Sequence, residues 1–226
     1  MENIETIQEM KEYIQLINNI WGLYFKHGPR SSKKVDYFHN ATKEILERYF
    51  TSDKGFDIKL EQNINALNKS KRKKCDIVIF KNKEPYIIFP VKIIMTNYKQ
   101  NANNYFENLT GELVLIKMKN KNTHIIPINI FMNKTPYLHK NRQIARFETI
   151  EPETIEHYNE LKNIKIVLND ANQTEPYTKN VCYDIINYIV EVKHINNVGE
   201  EFVEIQPIEK FITPYRSFKT IINELL

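Results

Sequence analysis

Between Lys74 and Lys92 the chain reads KCDIVIFKNKEPYIIFPVK, two apolar runs joined by a short polar turn. Ile, Val, Phe and Tyr dominate both runs, and such side chains suit the pleated, buried surface of a sheet. The pattern predicts strands over 75–81 and 86–94 in the interior of an α/β protein. Two charges interrupt it: Asp76 opens the first strand, and Lys92 stands near the end of the second. Burying a charge without a partner is costly, so an acid and a lysine at adjacent strand ends ask for an explanation. Placed together on one sheet edge, they can hold a divalent metal and orient a water against a phosphate. The plainer alternatives are an edge lysine that guards against sheet pairing and an aspartate that ends a strand.

The surrounding periodicity places these strands among helices. Ile4, Ile7, Met10, Tyr13, Ile14, Ile17 and Ile20 recur at three- and four-residue steps, predicting an amphipathic helix over 3–25. His27-Gly28-Pro29 breaks it, and a basic loop, RSSKK, follows. A second helix is expected over 35–49, with Phe38, Thr42, Ile45, Leu46 and Tyr49 inward. Residues 56–64 alternate as a strand, and 65–74 form a polar connection ending in KSKRKK. After the two central strands, Tyr98, Ala102, Tyr105, Phe106 and Leu109 predict a helix over 97–110, closed by Gly111. Strands are then expected over 112–118 and 124–132, with Pro127 at an edge or bulge.

Beyond Asn133 the pattern weakens. Residues 135–150 and 169–179 read as loops, 152–162 as a short helix, 164–168 as a strand and 215–226 as a last helix. Residues 181–192 fit either a helix or a long strand, and 202–211 are ambiguous. No repeat or clean linker divides the chain, so 1–226 is expected to be a single domain. Its core covers about 35–132, preceded by the helix over 3–25 and followed by a C-terminal elaboration over 133–226.

Composition narrows the setting. A formal charge of +4 permits a nucleic-acid partner without requiring one. Two cysteines, Cys75 and Cys182, make neither a disulfide framework nor a zinc site. A reducing, cytoplasmic interior is the simplest expectation. The N-terminus is too charged for a signal peptide, and no apolar run approaches the ~20 residues that span a bilayer. The six histidines show no local metal-ligand spacing, and there is no Gly-rich phosphate loop or G-x-S-x-G elbow.

The Asp76–Lys92 hairpin, with the order helix, three strands, helix, strand around it, resembles the PD-(D/E)XK nucleases, the restriction-endonuclease-like superfamily. The resemblance covers roughly residues 37–132. Asp76 matches the first motif position and Lys92 the last, but Pro90 stands where the second carboxylate belongs, and Cys75 replaces the usual proline. It implies a mixed central sheet flanked by helices, Mg²⁺ as cofactor, and hydrolysis of duplex DNA as in a type II restriction endonuclease, commonly a homodimer. It further implies that Asp76 and a second carboxylate hold the metal while Lys92 stabilises the attacking hydroxide or developing charge. Some type II enzymes take that carboxylate from the following helix, which nominates Glu107, fifteen positions past Lys92. Glu61 and Glu47 are the alternatives. Arg30, Lys33, Lys34, Lys71, Arg72, Lys73, Lys74 and Lys99 are the candidate DNA-contacting cations. Pro90 also keeps a different class open: an inert nuclease-fold module that binds DNA or protein without cutting.

Overall fold

The computed structural model describes residues 4–28, 31–138, 144–150, 152–169, 174–190 and 209–226. Two helices, α1 (Ile4–His27) and α2 (Lys33–Glu47), lead into β1 (Phe56–Asn65), β2 (Arg72–Lys81), β3 (Glu84–Phe89) and β4 (Val91–Ile94). Helix α3 (Tyr98–Lys117) then crosses to β5 (His124–Ile125) and β6 (Ile128–Met132). A hairpin of β7 (Lys134–Leu138) and β8 (Ile144–Thr149), α4 (Pro152–Asn159), β9 (Lys165–Leu168), β10 (Tyr177–Asn180), β11 (Ile186–Val190) and α5 (Glu209–Glu224) complete it.

The centre is a mixed sheet flanked by helices. β1, β2 and β3 are antiparallel neighbours, and β5 joins β3 in parallel. β4, β6 and β11 form a parallel group. Parallel neighbours need a long crossover, and α3 supplies it between β4 and β5. The two groups share one register: Ile87 lies opposite His124, and Val91 opposite Ile128. Pro90 therefore stands level with Pro127. Each ring removes one ladder donor, but both carbonyls are used, by Ile128 N and Ile186 N at 2.8 and 2.9 Å.

Both faces of this sheet are covered, as its continuous apolar strands require. On one side Ile77, Ile79, Ile87, Phe89, Ile130 and Tyr188 pack with Tyr13, Ile17 and Trp21 of α1, Phe38 and Leu46 of α2, and Phe218 and Ile221 of α5. On the other, Val78, Ile88 and Phe131 pack with Leu109, Leu113 and Ile116 of α3 and Tyr158 of α4.

The structure departs from the sequence expectation at several places. Residues 86–94 are not one strand, because Pro90 divides them and passes β4 to the second group. Residues 112–118 are not a strand: Leu113 and Ile116 continue the buried stripe of α3, and Gly111 lies inside the helix instead of ending it. A short apolar run fits either structure by composition, and its three-residue spacing decides here. Within 135–150, β7 and β8 pair antiparallel, and β10 occupies the end of the expected loop over 169–179; residues 139–143 and 170–173 lie outside the described residues. Within 181–192 the ordered element is the strand β11; residues 191–192, like 202–208, lie outside the described residues.

Gly111 gives a direct check on α3. A Cβ there meets nothing within 4 Å, and glycine in a helix interior costs about 0.5–1 kcal/mol relative to alanine. Gly111→Ala is expected to raise stability by about that amount in urea denaturation. A helix-ending glycine would instead be destabilised by the same change.

Candidate metal centre

The site begins with a fault in the β1–β2 ribbon. Glu61 has φ 55°, a left-handed conformation that non-glycine residues avoid. Before it, Phe56, Ile58 and Leu60 face the α1–α2 core; beyond it, Ile64 faces the α3 core. The partner strand changes face at the same level, with Ile79 and Ile77 on the first side and Cys75 on the second. Leu60 pairs with Ile77 and Gln62 with Cys75, so Glu61 and Asp76 stand opposite each other where the ribbon turns over. Strain of this kind, about 1–2 kcal/mol, persists where surroundings enforce it and clusters at functional sites.

Asp76 is fixed from behind. Its Oδ2 accepts a hydrogen bond from Val91 N at 2.7 Å. Ile77 faces Phe89 in the β2–β3 register, so Asp76 lies level with Pro90. The side chain answers the first amide of β4, where the sheet ladder passes from one strand group to the other. Burial pushes the Asp76 carboxyl above its ordinary range; the Val91 amide, His39 and Lys92 oppose that rise, and Glu112 adds to it.

α2 brings in His39, which is 1% exposed. It shares the buried face with Thr42 and Leu46, at helical spacing. Its Nδ1 is 3.1 Å from Glu61 Oε1, but off the hydrogen-bonding direction, and neither ring nitrogen has a hydrogen-bond partner among the described residues. Buried polar groups are nearly always satisfied, and this imidazole, in polar contact with Glu61 alone among the described residues, has a ring nitrogen free to take a ligand. One ligand atom from each of His39, Glu61 and Asp76 lies within 4.8 Å of the others. An imidazole and two carboxylates are a fitting donor set for a divalent cation.

A second group lies on the α3 side of the same level. Glu112, with a side chain 8% exposed, places Oε2 3.5 Å from Lys92 Nζ and 3.4 Å from Lys73 Nζ. Lys92 is half-buried, on the sheet face that carries Ile94 toward α3. Lys74 reaches the other way, with Nζ 2.5 Å from Glu61 Oε2. Two of the expected metal-site residues, Asp76 and Glu61, thus come together, and Lys92 acts electrostatically on Asp76.

Others are elsewhere. Glu107 is exposed on α3 and is not in the cluster; the α3 acid facing Lys92 is Glu112, five residues on, which shares the inner stripe with Leu109, Leu113 and Ile116. Glu47 is exposed at the end of α2 and pairs with Lys43 at 3.5 Å; α2 contributes His39 instead. Lys34 is buried and donates to the Ser31 carbonyl at 2.6 Å, which takes it off any binding surface. Lys33, Lys71, Arg72 and Lys99 are exposed; Arg30 lies outside the described residues. No local spacing announces His39. Its one signal is a histidine three residues before Thr42 and seven before Leu46, on the face that the helix buries.

No protein-family model matches this sequence, and no curated protein matches it.

The displaced titration of Asp76 has a consequence for stability. A raised folded-state pKa means that the native protein keeps a proton which the unfolded chain has already lost. Stability therefore falls as pH rises from the ordinary aspartate value of 3.8 through the higher folded value. Asn at this position still offers Val91 an acceptor but carries no charge. In EDTA, Asp76→Asn is expected to have a higher urea midpoint than the wild type at neutral pH. The gap should close below the ordinary carboxylate range, and equal midpoints at neutral pH would refute the burial argument.

Proposed function

We propose that this protein is a metal-dependent phosphodiester hydrolase with a restriction-endonuclease-like core, acting on duplex DNA as a type II restriction endonuclease does. The observation that carries the reading is the convergence of Asp76 and Glu61 with a buried, unsatisfied His39 at the level where Lys92 approaches from the next strand. The element order supports it as well: a helix, an antiparallel β1–β2–β3 unit extended by β4, the crossover α3, and β5–β6 in parallel. Two copies related by a two-fold axis would match a palindromic site.

The residues have separable roles. His39, Glu61 and Asp76 would hold the cation, with Glu61 replacing the acid that Pro90 lacks. A divalent ion bound there supplies Lewis-acid stabilisation of phosphoryl charge and activation of water. Lys92, steadied by Glu112, offers an ammonium to the charge that develops during attack. Lys73 and Lys74 add positive charge beside the incoming phosphate. Mg²⁺ favours an all-oxygen shell, whereas imidazole suits borderline transition ions. His39 therefore moves the preferred ion from Mg²⁺ toward Mn²⁺.

One observation favours a second reading. Pro90 is buried level with Asp76 and offers no ligand, and Lys92 is engaged with Glu112. A nuclease-fold module that binds metal and DNA without cutting would look the same.

Incubation of mixed-sequence duplex DNA with Mn²⁺, Mg²⁺ or EDTA separates the two. Discrete fragments are expected with Mn²⁺, fewer with Mg²⁺ and none with EDTA. Asp76→Ala, Glu61→Gln, His39→Ala and Lys92→Ala should each slow cutting by about 10²-fold or more, and Glu107→Gln should cut at the wild-type rate. Equal cutting by wild type and Asp76→Ala would sink the hydrolase reading. DNA binding without cutting under any metal would establish the inert module.

A further inference from the structure

The three strands of the parallel group share a pattern that the metal centre does not account for. Each places a polar residue second: Lys92 in β4, Asn129 in β6 and Asn187 in β11. The register aligns them in one row, with Lys92 opposite Asn129 and Asn129 opposite Asn187. Residues aligned in this way point to the same face of a sheet. That face packs against α3 and α4, because Ile94 and Phe131, two residues further along β4 and β6, belong to the core on that side.

An asparagine inside such a strand needs partners for both ends of its amide. Asn129 is 0% exposed, and its Nδ2 donates to Asn187 Oδ1 at 2.9 Å. Asn187 Nδ2 in turn donates to Asn159 Oδ1 of α4 at 2.8 Å. The three amides form a chain from the core to the surface, each donating outward to the next. Its inner end is Asn129 Oδ1, which is buried and has no hydrogen-bond partner among the described residues. Donation through Nδ2 makes this oxygen a stronger acceptor, since hydrogen bonds in a chain polarise one another. β6 lies between β11 and β4. With Nδ2 turned to β11, the planar carboxamide turns Oδ1 the other way, toward β4 and Lys92. Pairing for register explains the two outer amides, but not a free oxygen turned toward a cation.

Lys92 lacks what Asn129 offers. An ammonium has three donors. Among the described residues this one has a single polar contact, Glu112 Oε2 at 3.5 Å, an oxygen that also serves Lys73 at 3.4 Å. Both distances are long for a charge-assisted bond, which closes to about 2.8 Å when well made. Adjacent strands lie about 4.8 Å apart, so Lys92 reaches its neighbour by rotation within its own side chain. In free enzymes such contacts are often long, and they tighten in the complex.

We propose that Asn129 is a positioning residue for Lys92: its Oδ1 accepts one ammonium hydrogen, Glu112 accepts a second, and the third is left to the phosphate at the metal centre. The hydrogen bond stands on the geometry alone; its part in catalysis rests on the hydrolase reading above. A lysine held at one point sweeps an arc, whereas two acceptors on different elements, β6 and α3, confine its ammonium to one direction.

The bond is tested on the full chain without DNA or metal, by side-chain NMR of protein carrying ¹⁵N-lysine, at low temperature and mildly acid pH. An ammonium held by two acceptors exchanges its protons slowly enough to give a resolved signal, and the Lys92 signal is assigned by its loss in Lys92→Gln. Asn129→Leu and Asn129→Asp both remove the donor to Asn187, but only Asp keeps an acceptor facing Lys92. The expected result is a Lys92 signal in the wild type and in Asn129→Asp, with proton exchange about tenfold or more faster in Asn129→Leu. A purely structural role would change both variants alike, and that result would overturn the proposal. So would the absence of the signal in the wild type, or equal exchange in the wild type and a folded Asn129→Leu. Should the leucine variant fail to fold, Asn129→Asp decides: a retained signal upholds the bond, and its loss from a folded protein overturns it. In the cutting assay with Mn²⁺, Asn129→Leu should lower kcat about tenfold or more at unchanged KM; a wild-type kcat would overturn the positioning role. Should the Lys92 signal respond as expected while no metal supports cutting, the hydrolase reading fails and the hydrogen bond stands.

Discussion

The hydrogen bond from the Val91 amide to the Asp76 carboxylate, 2.7 Å long, joins the two halves of the sheet. On one side of it the strands are antiparallel hairpins; on the other they are parallel and linked through α3. Pro90 ends the first pattern, and β4 starts the second with an amide that a side chain satisfies. A buried carboxylate is costly unless it is hydrogen-bonded. This one accepts the Val91 amide at Oδ2, and a carboxylate oxygen of the same side chain lies in the cluster with His39 and Glu61. The same contact that continues the sheet therefore orients the candidate ligand. Asp76 carries both duties because the fault at Glu61 brings the ribbon's change of face to its own level.

Electrostatic order at the site follows from two helices on opposite faces of the sheet. α2 delivers a neutral-capable imidazole, and α3 delivers Glu112. Glu112 draws Lys73 and Lys92 to the α3 side, while Glu61 draws Lys74 to the other. The cations are thus sorted around the acids instead of collapsing onto Asp76. Such an arrangement keeps the carboxylate available to a cation and keeps ammonium groups near enough to meet a phosphate.

Much of the centre is legible in the sequence. β1, β2 and most of β3 follow from β-branched and aromatic runs, and α2 from its stripe of Phe38, Thr42 and Leu46, because burial on one face leaves a periodic trace. Asp76 and Lys92 stand out as charges in apolar strands. Whatever depends on distant residues leaves no such trace. His39 acquires its meaning only when α2 packs over the ribbon fault. Glu112 reads as a strand residue because Leu113–Ile116 is a short unbroken apolar run, and Gly111 looks like a stop; once α3 continues, Glu112 and not Glu107 shares its inner stripe. The β7–β8 hairpin is hidden by its polar, irregular composition, and its register shifts near Tyr137. Pro90 marks a local irregularity in the sequence, but its pairing level with Pro127 is a property of the fold alone.

Those two prolines sit level on adjacent parallel strands, so one row across the middle of the sheet has two amide donors fewer than its neighbours. A sheet can slip where each row of its ladder finds an equivalent partner one step away. Here Pro90 turns its carbonyl to Ile128 of β6, whereas Pro127 turns its own to Ile186 of β11, so the two missing donors fall on different seams of the row. Each proline acts as a registration mark on its own seam, Pro90 where β3 passes into β4 beside β6 and Pro127 where β6 meets β11. Lys92 is thereby held across from Asn129, and the ammonium's height relative to Asp76 is set by rings that carry no charge.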